Sequence, residues 1–572
     1  MKNRLKLTIG IILLLFPVAI YFYAVYKFSM NIPTGDEYGT FQWMNVFSKA
    51  TLKDRFFLLF RQANEHRIFS YYLTVITEFK LTGEVNFRYI MLLGNLGMFG
   101  LTWFLYRIYR SKVSTLIILP PLILLLFVPQ YNITDWAMVL MCSVNQYLLV
   151  FASLAFLYKD GRCYFAFSLL LAAIATFSFG NGMFTFLAGF PILVFRQHKS
   201  LKKILIWTGV MIVCIILYFI DYNHSTSLFS KMIVFHQPVK SVAYFLAFFG
   251  GVFRDVVGTH TKLMPILGAL IFAVFGYLVV LKWEFIRKNP LILSYLLFVI
   301  FSALAVTVSR VGYGIITASS DRYRLLPVLF IAILYIALVY LNNGVSQKVF
   351  FIIMIASLLL YGKRVMVNFQ EMASQKVLLS TGLLSYYIDP ENTSLCLPDQ
   401  KTASTLMKVS IIKGYYKPPT ISELYTKDQL RKCMKSIPPS DQIEICIDKL
   451  VDRPMILNID GWAFIKNKKV DEIDINVVLK SPQKIFTFKT ITVKREDVLH
   501  VFKNVYSGVT ENCGFSFTLV KQRLDCPNGT YQVGLCITKK DEILYLKYTD
   551  KIVYFIKSDS IKNTATGKII KL

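Results

Sequence analysis

Apolar runs of about 20 residues recur from Leu5 to about Leu360, separated by short polar loops. Each is long enough to cross the hydrocarbon core of a bilayer as a helix. The runs predict spans near 7–28, 87–107, 113–130, 138–158, 164–179, 183–195, 204–220, 262–282, 290–308, 325–341 and 348–362, about eleven in all. The pair 164–179 and 183–195 is short and meets at Phe179-Gly180-Asn181-Gly182, the pattern of a broken hairpin. Segment 241–257 is apolar, but a full span there breaks the charge pattern, so it reads as an interfacial or re-entrant helix. Between the first two runs, residues 40–50 and 55–80 have helical apolar spacing and predict amphipathic helices lying in the interface. After about Asp389 the long apolar runs stop. Residues 364–441 read as a helical and mixed connector. From Gln442 to Ile556 apolar and polar positions alternate, with turn residues such as Pro527 to Tyr531 between the runs. That pattern predicts a soluble, mainly β, sandwich-like domain over 442–556, followed by a flexible tail over 557–572. The fold class is therefore a polytopic α-helical membrane domain over 1–363, with a first outer loop over 29–86, joined to a β-rich domain.

Composition agrees with this reading. Of 572 residues, 55% are hydrophobic and only 17% charged, and the mean hydropathy is +0.52, too apolar for a soluble chain of this length. A net charge of +29 would point to nucleic acid in a soluble protein. Here much of the basic excess sits in the short loops Arg107–Lys112, Lys159–Arg162, Arg196–Lys203 and Lys282–Lys288. This is the positive-inside pattern, and no nucleic-acid-binding motif accompanies it. Lys2, Arg4 and Lys6 precede the first run and no small-residue cleavage site follows it, so it reads as a retained anchor with a cytoplasmic N-terminus. The expected location is the inner (plasma) membrane, multi-pass, with the C-terminal domain extracytoplasmic. Four segments then share the outer side: 29–86, the loop around Asp221 to Lys240, the loop Ser309 to Arg324, and everything after about Lys363. Sequons at Asn132, Asn223, Asn392 and Asn528 fall on that side as well. Cys142, Cys163 and Cys214 lie in or beside spans and read as apolar filler. Cys396, Cys433, Cys446, Cys513, Cys526 and Cys536 are an even set in the outer part, where disulfides are permitted but their connectivity is not legible.

The chemistry concentrates between Gly35 and Arg67. Asp36 and Glu37 follow the first span closely. A carboxylate there is placed to take a proton from a sugar hydroxyl; the same residues also fit a helix N-cap. Glu65, His66 and Arg67 fall on the second amphipathic segment. They suit assistance to the carboxylates, phosphate contact or a divalent cation, and equally a solvated face; the spacing demonstrates no metal. Arg310, Arg322, Tyr323 and Arg324 flank the late outer loop. A guanidinium matches phosphate with paired donors, whereas Arg324 reads better as a side chain snorkelling from a span end. Asn181 in the Phe179–Gly182 turn either lets backbone approach a ligand or closes a simple hairpin. In the β-rich part, Trp462 reads as core packing, with sugar contact as the alternative.

Taken together, Gly35-Asp36-Glu37, Asn64-Glu65-His66-Arg67, Ser178 to Gly182 and Ser309 to Tyr323 resemble motifs of GT-C-type bacterial membrane glycosyltransferases, especially the polytopic O-antigen glucosyltransferases. The resemblance covers roughly residues 1–360. It implies a donor sugar on a polyprenyl phosphate at the outer face, a surface glycan or other acceptor, a lipid bilayer setting, and no nucleic acid. It also implies Asp36 as general base with Glu37 as neighbour or substitute. Inversion would follow from a single displacement, with Arg310 or Arg322 steadying the departing phosphate. The added β-rich domain departs from the smaller members, so the acceptor does not carry over. Other classes that fit a polytopic chain are a lipid-linked glycan transporter, an O-antigen polymerase and a non-catalytic sugar-binding membrane protein.

Overall fold

The computed structural model describes residues 2–109, 115–126, 134–196, 200–223, 234, 236–257, 260–344, 346–388, 390, 393, 395–420, 430–431, 438–452, 456–468, 473–482, 484–521, 528–539, 542–555, 560–562 and 569–571. The chain divides into two compact units, one of residues 1–373 and 410–417, the other of residues 374–409 and 418–572.

The first unit is helical. Among the described residues, seven helices are long and apolar enough to cross a membrane: Phe87–Ile108, Ala137–Leu157, Leu201–Phe219, Leu263–Leu281, Pro290–Tyr313, Asp321–Leu341 and Lys348–Leu383. Leu15–Phe28, Arg162–Ser178 and Gly180–Phe195 are apolar but shorter. These helices make the chain a membrane protein. The expected span near 113–130 is represented by the eight-residue helix Leu119–Leu126, which carries Pro120 and Pro121. Segment 241–257 forms the 13-residue helix Pro238–Gly250 and the short helix Arg254–Val257, neither of span length.

The loop over 29–86 differs from the expected pair of helices. Tyr38–Lys49 and Leu52–Leu58 are helical, but the second segment is interrupted by a two-stranded hairpin, β1 (Gln62–Ala63) and β2 (His66–Arg67), before the helix Phe69–Thr82. Asn64 turns the hairpin at φ +48°, a left-handed conformation that asparagine tolerates better than most residues. Apolar spacing carried the expectation past this point, because the flanking residues keep a helical period. The loop is folded down by aromatics: Trp43 stacks on Tyr72 with centroids 4.1 Å apart, and its Nε1 donates to the Leu58 carbonyl at 3.0 Å. Residues 410–417 return to the same unit, where the Tyr416 hydroxyl donates to the Asn31 carbonyl at 2.6 Å.

The second unit carries antiparallel sheets. One runs β11–β10–β6–β7–β3, from Glu542–Phe555, Gly529–Lys539, Asp474–Lys480, Ile485–Lys489 and Leu430–Arg431; the other runs β4–β5–β9–β8, from Ile443–Asp452, Ile456–Ile465, Gly514–Val520 and Ile491–Val493. Alternate residues of both sheets, including Ile459, Phe517, Val477, Phe488 and Leu535, share one buried core, as period-two patterning requires. Trp462 packs on Phe464 and Phe502 outside that core, under the helix Glu496–Phe502. Of the six outer cysteines, Cys446 and Cys513 are free thiols, and Cys433 and Cys526 lie outside the described residues, as do Asn132 and Asn392.

Candidate functional site

Gly35, Asp36 and Glu37 form one tight turn directly after the first helix. The two acids face opposite ways. Asp36 is exposed and has no ion pair among the described residues, whereas Glu37 is fully buried. Glu37 Oε2 accepts the Thr34 N–H at 2.8 Å, and Oε1 accepts the Met138 N–H at 2.9 Å, at the start of the helix Ala137–Leu157. A carboxylate here serves the N–H groups that a first helical turn leaves unpaired. Burial pushes the Glu37 carboxyl up to about 8, against the lowering pull of the backbone N–H groups of Met138, Thr34 and Ala137. With both oxygens committed to backbone, Glu37 holds the turn, and Asp36 is the carboxylate that water reaches.

Three distant segments meet a short way along the chain. Glu65, at the tip of the hairpin, pairs with Arg310 at 3.2 Å, each side chain being partly exposed. The Glu65 carbonyl also accepts the Tyr222 hydroxyl at 2.7 Å. His66 lies against the Phe179 ring with centroids 3.9 Å apart, and its buried Nδ1 has no hydrogen-bond partner among the described residues. Burial, and then the neighbouring Arg310 charge, lower the His66 imidazole to about 4, so it is neutral near pH 7. The Phe179–Gly182 turn is built for this approach. Phe179 breaks the helix in an extended conformation at φ −168° and ψ 148°. A Cβ at Gly182 would sit 1.9 Å from the Ala175 carbonyl oxygen, and one at Gly180 would sit 3.0 Å from His66 Nδ1. At 182 only glycine lets the turn close on its own helix, and at 180 glycine gives the imidazole its close approach. Asn181 Nδ2 donates to Ser302 Oγ at 3.2 Å. Tyr323 is an electrostatic neighbour of the Arg310 guanidinium, which also lies over the Tyr313 ring at 5.7 Å.

The structure therefore brings together Glu65, His66, Arg310 and Tyr323, with Asn181 in the adjoining turn. Arg67 has a different part. Its guanidinium donates to the carbonyls of Tyr218 (2.8 Å), Phe60 and Ile220 and covers the end of the helix Leu201–Phe219. Arg322 is exposed and unpaired among the described residues, and no hydrogen bond or ion pair joins Asp36 to the Glu65–Arg310 pair among them. No three of His, Cys, Asp and Glu gather as a metal cradle among the described residues.

A cleft of about 1230 Å³ opens beside the hairpin. Phe56, Phe60, Phe177 and Leu217 give it apolar walls, while Lys49, Arg61, Asn64 and Asp221 are among its polar lining residues.

Sequence reading missed one feature close to the late loop. Arg324 is buried and holds Asp255 through both terminal nitrogens at 2.8 and 3.3 Å, and the buried Arg364 takes the other side of Asp255 at 2.7 Å. Asp321 lies 3.6 Å from Arg324. Arg324 is thus a buried anchor for the loop rather than a snorkelling side chain. Its partners come from the segment left without a span and from the middle of the helix Lys348–Leu383, so spacing gave no sign of them.

No protein-family model, curated protein or solved structure matches this chain.

Proposed function

We propose that the chain is a membrane glycosyltransferase that moves a sugar from a polyprenyl-phosphate donor to a cell-surface glycan or another acceptor at the extracytoplasmic face. The observation that carries this reading is the Glu65–Arg310 pair at 3.2 Å. Through it, the first outer loop and the late outer loop, 245 residues apart, contribute to one polar cluster beside the Phe179–Gly182 turn. The nearby cleft, apolar in its walls and polar in part of its lining, suits a lipid-linked sugar.

In this reading Asp36 takes the proton of the acceptor hydroxyl as that oxygen attacks the anomeric carbon. The lipid phosphate leaves from the opposite face, and Arg310, steered by Glu65 and Tyr323, meets its growing negative charge. Glu37 acts as a positioning residue that fixes the Asp36 turn. The full arrangement is about eleven spans with a cytoplasmic N-terminus and an extracytoplasmic β-rich unit in the plasma membrane, where basic loops face the cytoplasm.

The test is sugar transfer from a polyprenyl-phosphate donor in membranes carrying wild type or Asp36→Asn. Loss of a general base lowers transfer by about 10²–10⁴-fold, with insertion and thermal stability unchanged. Wild-type transfer by Asp36→Asn refutes the base assignment. Donor translocated but never consumed would favour the transporter alternative.

A further inference from the structure

A second cavity lies at the other end of the helix bundle. The helix Pro290–Arg310 carries Arg310 at its C-terminus and lines this cavity with Leu291 and Ile292 near its N-terminus. The two ends of that 21-residue helix are about 30 Å apart, at a rise of 1.5 Å per residue. The cavity holds about 590 Å³. Three cations line it: Arg107, Lys159 and Arg196, against one acid, Asp160. Arg196 pairs with Asp160 at 2.7 Å. Arg107 and Lys159 are exposed and have no carboxylate partner among the described residues.

All three cations lie over aromatic faces, and among the described residues Arg196 alone also pairs with an acid. Arg107 lies over Trp103 at 5.3 Å, Lys159 over Tyr164 at 4.8 Å, and Arg196 over Tyr158 at 5.2 Å. Such contacts orient a cation without neutralising it. The N-terminus of the helix Pro290–Arg310 adds its positive dipole end to the same space. An uncompensated positive cavity with aromatic walls, at the end of apolar span-length helices, fits a phosphate group attached to an apolar tail.

We propose that this cavity binds the headgroup of an anionic membrane phospholipid, in the leaflet opposite the Glu65–Arg310 cluster. The assignment stands independently of the sugar-transfer reading.

The experiment uses the full chain in lipid nanodiscs of phosphatidylcholine, with and without phosphatidylglycerol. Retained lipid is measured by native mass spectrometry and the unfolding midpoint by a thermal scan. Wild type is expected to retain phosphatidylglycerol in preference to phosphatidylcholine and to unfold at a higher temperature in its presence. The double variant Arg107→Gln/Lys159→Gln is expected to weaken that preference about 30-fold, the loss due to two basic contacts with a headgroup. A control pair outside the cavity, Lys202→Gln/Lys288→Gln, is expected to keep it. No preference in wild type overturns the proposal without any variant. An equal loss in the control pair overturns it in favour of diffuse surface attraction. The same stabilisation by inorganic phosphate alone overturns the lipid assignment in favour of a soluble anion.

Discussion

Glu37 and His66 are two ionisable side chains whose burial sets opposite pH dependences. The Glu37 carboxyl, near 8 in the folded chain against 4.5 when free, binds its proton more tightly in the native state between those values. Stability from this group is therefore present at low pH and lost as pH rises from about 5 to about 8. Glu37→Gln is expected to flatten that slope in thermal unfolding. A slope unchanged by the substitution contradicts the buried carboxyl. His66 has the opposite sign. Its imidazole titrates near 4 in the folded chain and 6.5 when free, so the unfolded chain takes up the proton first. Stability is complete above pH 6.5 and is lost as pH falls toward 4. His66→Gln should remove that acid loss, read as the unfolding midpoint between pH 4 and 7. The sequence singled these residues out, because ionisable groups stood out beside apolar runs. Their division of labour was not. Asp36 and Glu37 are adjacent and chemically alike, and only the arrival of the Met138 N–H from a separate helix separates a buried cap from an exposed acid.

Elements set how closely these side chains approach. The Phe179–Gly182 turn needs glycine at 182, where an added Cβ would meet the Ala175 carbonyl oxygen at 1.9 Å. Gly182→Ala is expected to cost about 1–3 kcal/mol, the range for forced overpacking, measured by thermal unfolding or by the fraction inserted. A stable Gly182→Ala protein with the same midpoint contradicts the close turn. The late loop, Ser309 to Arg324, is held by Asp255, Arg324 and Arg364. Asp255→Asn leaves two buried guanidinium groups without their carboxylate and is expected to cost about 3–5 kcal/mol. An unchanged midpoint contradicts a buried network. The turn at Gly180–Gly182 was readable from two glycines between apolar runs. The hairpin at 62–67 was not, because the residues on either side continue a helical period and one left-handed Asn64 interrupts it. The Asp255 network was unreadable for another reason. Its members lie far apart in sequence, and a charged residue near a span end looks the same whether it snorkels or is buried.

At the scale of the molecule, the alternation of long apolar runs and short basic loops foretold a helical membrane unit and a β-rich unit. That distinction rests on two strong signals, runs near 20 residues and period-two alternation. The span count was less legible, because apolar helices such as Arg162–Ser178 and Gly180–Phe195 fall below span length. Unit boundaries were also hidden: residues 410–417 belong with the first unit although they follow a stretch that belongs with the second. The central claim is that two outer loops, distant in sequence, form a single transfer site through Glu65 and Arg310. A double-mutant cycle of Glu65→Gln and Arg310→Gln, read as sugar transfer from a polyprenyl-phosphate donor, tests it most directly. The account predicts that each single change lowers transfer about 10²-fold, and that the double variant is little worse than the poorer single. Wild-type transfer by both single variants, or losses that simply multiply, would contradict it.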